Sequence, residues 1–390
     1  MTPLDDLLTA DAKTARSSVI REILALVDLD DVLSLAGGMP DPATFPVDDL
    51  ARVADAAIRS PSGEPLQYGR TEGMTPLRAV IADDAASRRS RACTPDEVLV
   101  TTGSQQALDL VGRAFLDPGD EVAIDDPGYL GAIQALGARH PRWLPIRVDD
   151  DGLDTEALEA ALTRGGRPKL VYTVTDFQNP TGAVLHPERR RHLAALADHW
   201  GFLVVEDDPY GRIRFDEPVH PPVSTWTDRA ISLGTTSKTI APGLRVGWMV
   251  APPPLITVLA RLKQATDLHT STLSQQLVLD LLAVPGWMTE RSKVLGAFYR
   301  ERAGELRAAL AEALPGATIA EPRGGLFLWA DIPGVDTTAL LPRAVDAGVA
   351  FVPGSAFRTG DDPTSTFRAT YATLGPTELR EAARRLGSVV

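Results

Sequence analysis

Between residues 98 and 250 the chain alternates short apolar runs with longer segments of helical period. Short runs rich in β-branched residues and bounded by turn formers read as buried strands, and the 3.6-residue periodicity between them reads as helices laid over a sheet. The runs fall at 98–101, 121–124, 170–174, 202–206, 230–233 and 246–250, with helices starting near Ser104, Pro187 and Pro253. This alternation predicts an α/β fold with a mostly parallel central sheet wound by helices. From Trp287 the pattern changes. A long helical stretch that includes 301–310 leads to strand candidates at 325–329, 350–352 and 367–370 and a closing helix from Pro376, the pattern of a smaller α+β domain. The expected division is an N-terminal arm, 1–46, packed with the small domain; a large domain, 47–286; and a small C-terminal domain, 287–390.

Several polar motifs follow directly on the strand candidates. In wound sheets ligands collect at the carboxyl ends of strands, where loops and helix N-termini converge, so a cofactor site is expected there. Charge narrows the ligand class. A net charge of −13 is the wrong footprint for nucleic acid or an anionic membrane, both of which reward clustered Lys and Arg. No apolar run approaches the ~20 residues of a membrane span. The start MTPLDDLLTADAKTAR lacks the basic and apolar regions of an export signal, and Cys93 is the only cysteine. A cytoplasmic protein acting on small molecules is expected. His186, His192 and His199 lack the i,i+4 spacing of paired helical ligands, so no metal is expected. Neither a GxGxxG turn after a strand nor a GxxxxGK[ST] loop occurs, which removes the main support for a nucleotide.

Only five of the 39 basic residues are lysines: Lys13, Lys169, Lys238, Lys263 and Lys293. Arginine replaces lysine as a surface charge but cannot condense with an aldehyde, so each remaining lysine merits inspection. Lys238 lies in SLGTTSKTIAPGLRVGW, where a strand runs into hydroxyl residues, a Pro-Gly turn, Arg245 and another strand. Burial near positive charge lowers a lysine from its ordinary ~10.4 and supplies neutral amine. Arg245 offers that charge and a fork for a phosphate, with hydroxyls from Thr235 and Ser237 beside it. Ser104 and Gln105 open a helix after a strand and a glycine, where backbone N–H groups can meet the same phosphate; a simple N-cap explains Ser104 equally well.

The motifs SLAGGMPDP, LQYGRTEGMTPLR, TTGSQQALDL, DDPGY, QNPTG, EDDPYG, SKTIAPGLRVGW and FRATYA occur in that order. Over almost its whole length the chain resembles the fold-type I aminotransferases of class I/II, near the 2-aminoadipate and kynurenine aminotransferase group. The resemblance implies pyridoxal 5'-phosphate held as a Schiff base on Lys238, and ping-pong transfer of an amino group from an L-amino acid to a 2-oxo acid. It implies that Asp207, rather than Glu206 or Asp208, pairs with the pyridine nitrogen. Tyr210 and Asn179 would bond the phenolic oxygen and Tyr129 would lie over the ring. Arg368 would clamp the substrate carboxylate, with Asn179 and the backbone of Gly38 beside it and Arg21 on a mobile covering arm. Tyr68 would reach the phosphate of the neighbouring subunit in a homodimer with shared active sites. Residue by residue, plainer readings stand beside these: Asn-Pro-Thr-Gly is a sound turn, and Tyr129 fits a core. The same anchors serve pyridoxal-phosphate lyases, decarboxylases and oxidases. They also occur in the sensor domains of MocR-like regulators, against which the acidic charge and the short segment before SLAGGMPDP both speak.

Overall fold

The computed structural model describes residues 4–9, 12–13, 31–216, 218–360 and 362–390. Eight strands form one sheet in the order Val98–Thr101, Gly247–Val250, Ala230–Thr235, Leu203–Asp207, Pro168–Val174, Glu121–Asp126, Arg142–Asp149 and Gly152–Leu153. The run from Ala230–Thr235 to Arg142–Asp149 is parallel throughout. Helices cover both faces of its centre, so Pro168–Val174 and Leu203–Asp207 are buried along most of their length and read as continuous apolar runs. The expected strands omit Arg142–Asp149. That strand lies toward the sheet margin, exposes Arg142, Pro145 and Arg147 and buries only Ile146 fully, features that hide a strand from an apolar-run reading.

Gly247–Val250 runs antiparallel between Val98–Thr101 and Ala230–Thr235. An antiparallel neighbour needs only a loop, whereas a parallel one needs a crossover. The chain therefore leaves Thr235, passes through 236–246 and re-enters at Gly247, which puts Lys238 and Arg245 on one connection. Thr101, Asp126, Val174 and Asp207 end at the same edge. Gly247 permits a close approach there, because a Cβ on it would lie 2.9 Å from the carbonyl carbon of Gly103.

A second sheet is antiparallel, in the order Thr318–Ile319, Phe327–Asp331, Thr366–Thr370 and Val352–Pro353. The single strand expected at 350–352 is split: Val349–Ala350 pairs in parallel with Leu33–Ser34, and Val352–Pro353 joins the second sheet. Residues 33–34 are thereby stitched to the C-terminal part of the chain. One buried cluster runs from Leu108 and Val111 under the large sheet to Tyr299, Leu306 and Phe367. Among the described residues no helix is long and apolar enough to cross a membrane.

The loop after Pro168–Val174 is pinned by a buried ion triad. Asp176 bonds Arg190 at 2.9 Å and Arg214 at 3.0 Å, and Arg190 is wholly buried. Burial works to raise the Asp176 pKa, but the charges of Arg190, Arg214 and Arg88 outweigh it and hold the carboxyl well below its usual range. Asp176→Asn leaves buried guanidinium charge without its counterion and should cost about 3–5 kcal/mol in equilibrium urea unfolding. Because the folded-state pKa is depressed, this stabilisation is present at neutral pH and is lost as pH falls below about 4. A loss under about 1 kcal/mol at neutral pH would contradict the role given to the triad.

Candidate active site

Strand alternation separates three consecutive carboxylates. Glu206 and Asp208 both line a cavity of about 220 Å³ on one face of the sheet. Glu206 accepts from the backbone N–H groups of Val223 at 2.6 Å and Ser224 at 3.1 Å, and from the Ser232 hydroxyl. Asp208 accepts from Arg88 at 2.6 Å and from the N–H of Gly211 at 2.8 Å. Asp207, only 1% exposed, takes the other side, where the Tyr172 hydroxyl donates to Oδ2 at 2.8 Å and Oδ1 has no partner. Burial pushes the Asp207 carboxyl up to about 7 against the Tyr172 hydrogen bond, and the Asp208 charge adds to the rise. A cationic N–H at Oδ1 would satisfy that oxygen and restore the carboxylate.

Lys238 donates from Nζ to the carbonyl of Gly38 at 2.7 Å. Burial depresses its pKa to about 8, helped by the charges of Arg368 and Arg245. Arg368, buried on Thr366–Thr370, lies over the rings of Phe327 at 4.1 Å and Phe357 at 5.0 Å. It donates to Asn179 Oδ1 at 2.9 Å and to the Ala36 carbonyl at 2.6 Å, and its Nε has no partner. Burial lowers Arg368 to about 10, so it stays a cation at neutral pH with donors to spare. Asn179 in turn donates to the Tyr210 hydroxyl at 3.5 Å. Burial, then the Asp207 charge, pushes Tyr129 up to about 12, while Arg368 and Arg245 pull it back. The Tyr129 ring needs Gly131, where a Cβ would fall 2.5 Å from its Cζ.

An anion cradle adjoins these groups. Gly103 precedes the helix Ser104–Phe115 with φ +80°, and a Cβ there would lie 2.6 Å from Arg245 Nη2. Thr235 sits opposite Gly247 in register, and its hydroxyl donates to Ser237 Oγ at 3.0 Å. Gly247 abuts Gly103, so both hydroxyls, the helix N-terminus and the guanidinium share one corner. Ser104 Oγ is buried without a partner, whereas the exposed Gln105 side chain turns to the Gly131 carbonyl at 3.2 Å and leaves the cradle to its backbone.

Tyr68 points outward, 80% exposed, with its ring edge-on to His269 at 5.8 Å. Arg21 lies outside the described residues. Tyr172, Gly131, the Ala36 carbonyl, and Phe327 and Phe357 belong to the site without any motif that marks them in the sequence. Tyr172 looks like a core residue in LVYTV. Only the register Val174↔Asp207 places it one pleat away from Asp207 on the same face.

Three buried polar atoms are therefore orphaned around a half-buried lysine: a carboxylate oxygen, a hydroxyl at an anion cradle and an arginine N–H. A phosphorylated pyridine aldehyde and an amino acid carboxylate together would satisfy all three. Fold and site thus define a pyridoxal-phosphate enzyme acting on amino acids. The family described as aminotransferase class I and II matches residues 30–386. An aromatic-amino-acid aminotransferase of Thermococcus litoralis is 39% identical over 96% of this chain and 92% of its own length. A 2-aminoadipate transaminase of Thermus thermophilus is 40% identical over 95% and 93%. The structure of α-aminoadipate aminotransferase from Thermus thermophilus, complexed with N-(5'-phosphopyridoxyl)-L-leucine, superposes with a TM-score of 0.91 at 38% identity, covering 99% of this chain and 98% of that one. The chain belongs to the class I and II aminotransferase family, and it transfers amino groups with pyridoxal phosphate.

The depressed amine has a direct consequence. Covalent capture of the cofactor aldehyde by the apoprotein should rise with pH to a midpoint near 8. Arg368→Gln should move that midpoint upward, because it removes a positive charge that disfavours the ammonium form. A stopped-flow absorbance series over pH checks both, and a wild-type midpoint near the ordinary ~10.4 would contradict them.

Proposed function

We propose that the enzyme is a homodimer that works by two alternating half-reactions, from an L-amino acid and then to a 2-oxo acid, with Lys238 as its catalytic amine. The observation that carries this reading is the setting of Lys238, a primary amine brought toward neutrality between an anion cradle and a buried arginine. The aromatic and 2-aminoadipate names of the relatives support a donor with an extended side chain.

When bound, pyridoxal phosphate supplies a carbon that accepts amines and a ring that draws electrons from the substrate Cα. The backbone of Ser104 and Gln105, the hydroxyls of Ser104, Thr235 and Ser237, and Arg245 would hold its phosphate. Asp207, aimed by Tyr172, would keep the ring nitrogen protonated. Tyr210 and Asn179 would bond the phenolic oxygen, and Tyr129 would cover the ring face. Arg368 binds the substrate carboxylate on a floor of Phe327 and Phe357, which exclude water and strengthen the charge pairing. Lys238 would be the amine that holds the cofactor, and its Nζ, once free, would be placed to carry the proton from the substrate Cα. Residues 47–286 and 287–390 are read as large and small domains, so a substrate would be gripped by Lys238 from one and Arg368 from the other. Tyr68, exposed near the exposed Leu66, is read as reaching the phosphate of the partner subunit.

Lys238→Ala should fold and keep cofactor noncovalently while losing about 10³-fold or more in turnover. Borohydride reduction followed by peptide mass analysis should find the cofactor on the Lys238 peptide of the wild type and on no peptide of the variant; labelling at another lysine would sink the assignment. Arg368→Gln should lower kcat/KM by about 10²-fold for donor and acceptor alike, since both carry the same carboxylate. A single turnover should yield one oxo acid per pyridoxamine phosphate, and release of ammonia, carbon dioxide or peroxide instead would favour another reaction on these anchors.

A further inference from the structure

Of the five lysines, Lys13, Lys169 and Lys293 are exposed, Lys238 serves the site, and Lys263 is wholly buried. Lys263 and Asp267 occupy the last turn of the helix Pro253–Asp267. Nζ of Lys263 meets Asp267 Oδ1 at 2.8 Å and Oδ2 at 2.9 Å, Gln106 Oε1 at 2.8 Å and Thr270 Oγ1 at 3.1 Å. A buried ammonium so fully surrounded fixes the orientation of every group it touches. The Gln106 amide cannot flip, because its oxygen faces Lys263 and its nitrogen donates to Asp267 Oδ2 at 2.7 Å.

These fixed groups converge on one residue. Gln106 Oε1 accepts the backbone N–H of Thr102 at 2.8 Å, and Asp267 Oδ2 accepts the Thr102 hydroxyl at 2.7 Å. The Thr102 carbonyl in turn accepts from Arg245 Nη2 at 3.4 Å. Thr102 immediately precedes Gly103, whose left-handed backbone turns the chain into the helix at Ser104. The network holds the N–H and the hydroxyl of Thr102, so the residue from which the chain turns into Gly103 and the first helical N–H groups, and whose carbonyl receives Arg245, is fixed in place.

We propose that Lys263, Asp267 and Gln106 are positioning residues that preset the phosphate cradle by locking Thr102, and through it Gly103, Ser104 and Arg245. The inference rests on the phosphate role given above to Ser104 and Arg245. It distinguishes ligands that carry a phosphoryl group from those that do not, since a general packing role would affect both.

The full-length chain, stripped of cofactor, is titrated with pyridoxal 5'-phosphate and with pyridoxal as wild type, Lys263→Met, Asp267→Asn and Arg245→Gln, and the dissociation constants are read from absorbance. In Lys263→Met and Asp267→Asn the preference for the phosphorylated ligand should fall at least about tenfold, the effect of losing one charge-assisted hydrogen bond, while pyridoxal affinity stays within about twofold. Should Lys263→Met fail to fold, Asp267→Asn carries the test, because it exchanges one atom of a partly exposed group. An unchanged preference, or an equal loss for both ligands, overturns the inference. Arg245→Gln separates the two levels: a fallen preference there alone rejects only the network, whereas an unchanged preference there rejects the phosphate reading beneath it.

Discussion

The parallel register of the central sheet is the constraint on which the site depends. Parallel strands all release their chains at the same edge, so residues far apart in sequence are delivered to one line: Gly103, Tyr129, Asn179 and Asp207 each follow or end a strand there. The antiparallel return at Gly247 adds the remaining pieces without a crossover helix, which is why a lysine and an arginine seven residues apart can face one ligand. Arg368 arrives from the second sheet, between two aromatic rings.

What that edge concentrates is charge in a poorly solvated place. Lys238 and Arg368 are both drawn toward their neutral forms and Asp207 toward its protonated form, in each case chiefly by burial. Desolvation presses each of these groups toward its neutral form. A dianionic phosphate, a cationic ring nitrogen and a carboxylate would relieve that pressure together, so binding is driven by charges that the fold has kept from pairing with one another.

Much of this was legible in the chain itself. Lys238 stood out because arginine holds nearly every other basic position, and the motif order placed Asp207, Asn179, Tyr210 and Arg368. The choice among Glu206, Asp207 and Asp208 rests on resemblance; strand alternation sets Asp207 beside Tyr172, away from the partners of the other two. Tyr172, Phe327 and Phe357 stayed hidden because their roles come from cross-strand register, and in sequence an aromatic under an arginine looks like any core residue. The strand Arg142–Asp149 was hidden by the exposure of Arg142, Pro145 and Arg147. The break at Phe351, between Ala350 and Val352, was hidden because apolar residues continue through it while their pairing partners change.

The Gly38 carbonyl that receives Lys238 and the Ala36 carbonyl that receives Arg368 lie two residues apart, just beyond the short pairing of Leu33–Ser34 with Val349–Ala350. This strip of backbone is bonded to the lysine and the buried arginine of the site. On the proposed role of Lys238, its footing would differ between a lysine at rest and a lysine engaged elsewhere, and its order would be linked to site occupancy. Residues 33–38 would thereby sense the state of Lys238 through the one hydrogen bond that its amine donates.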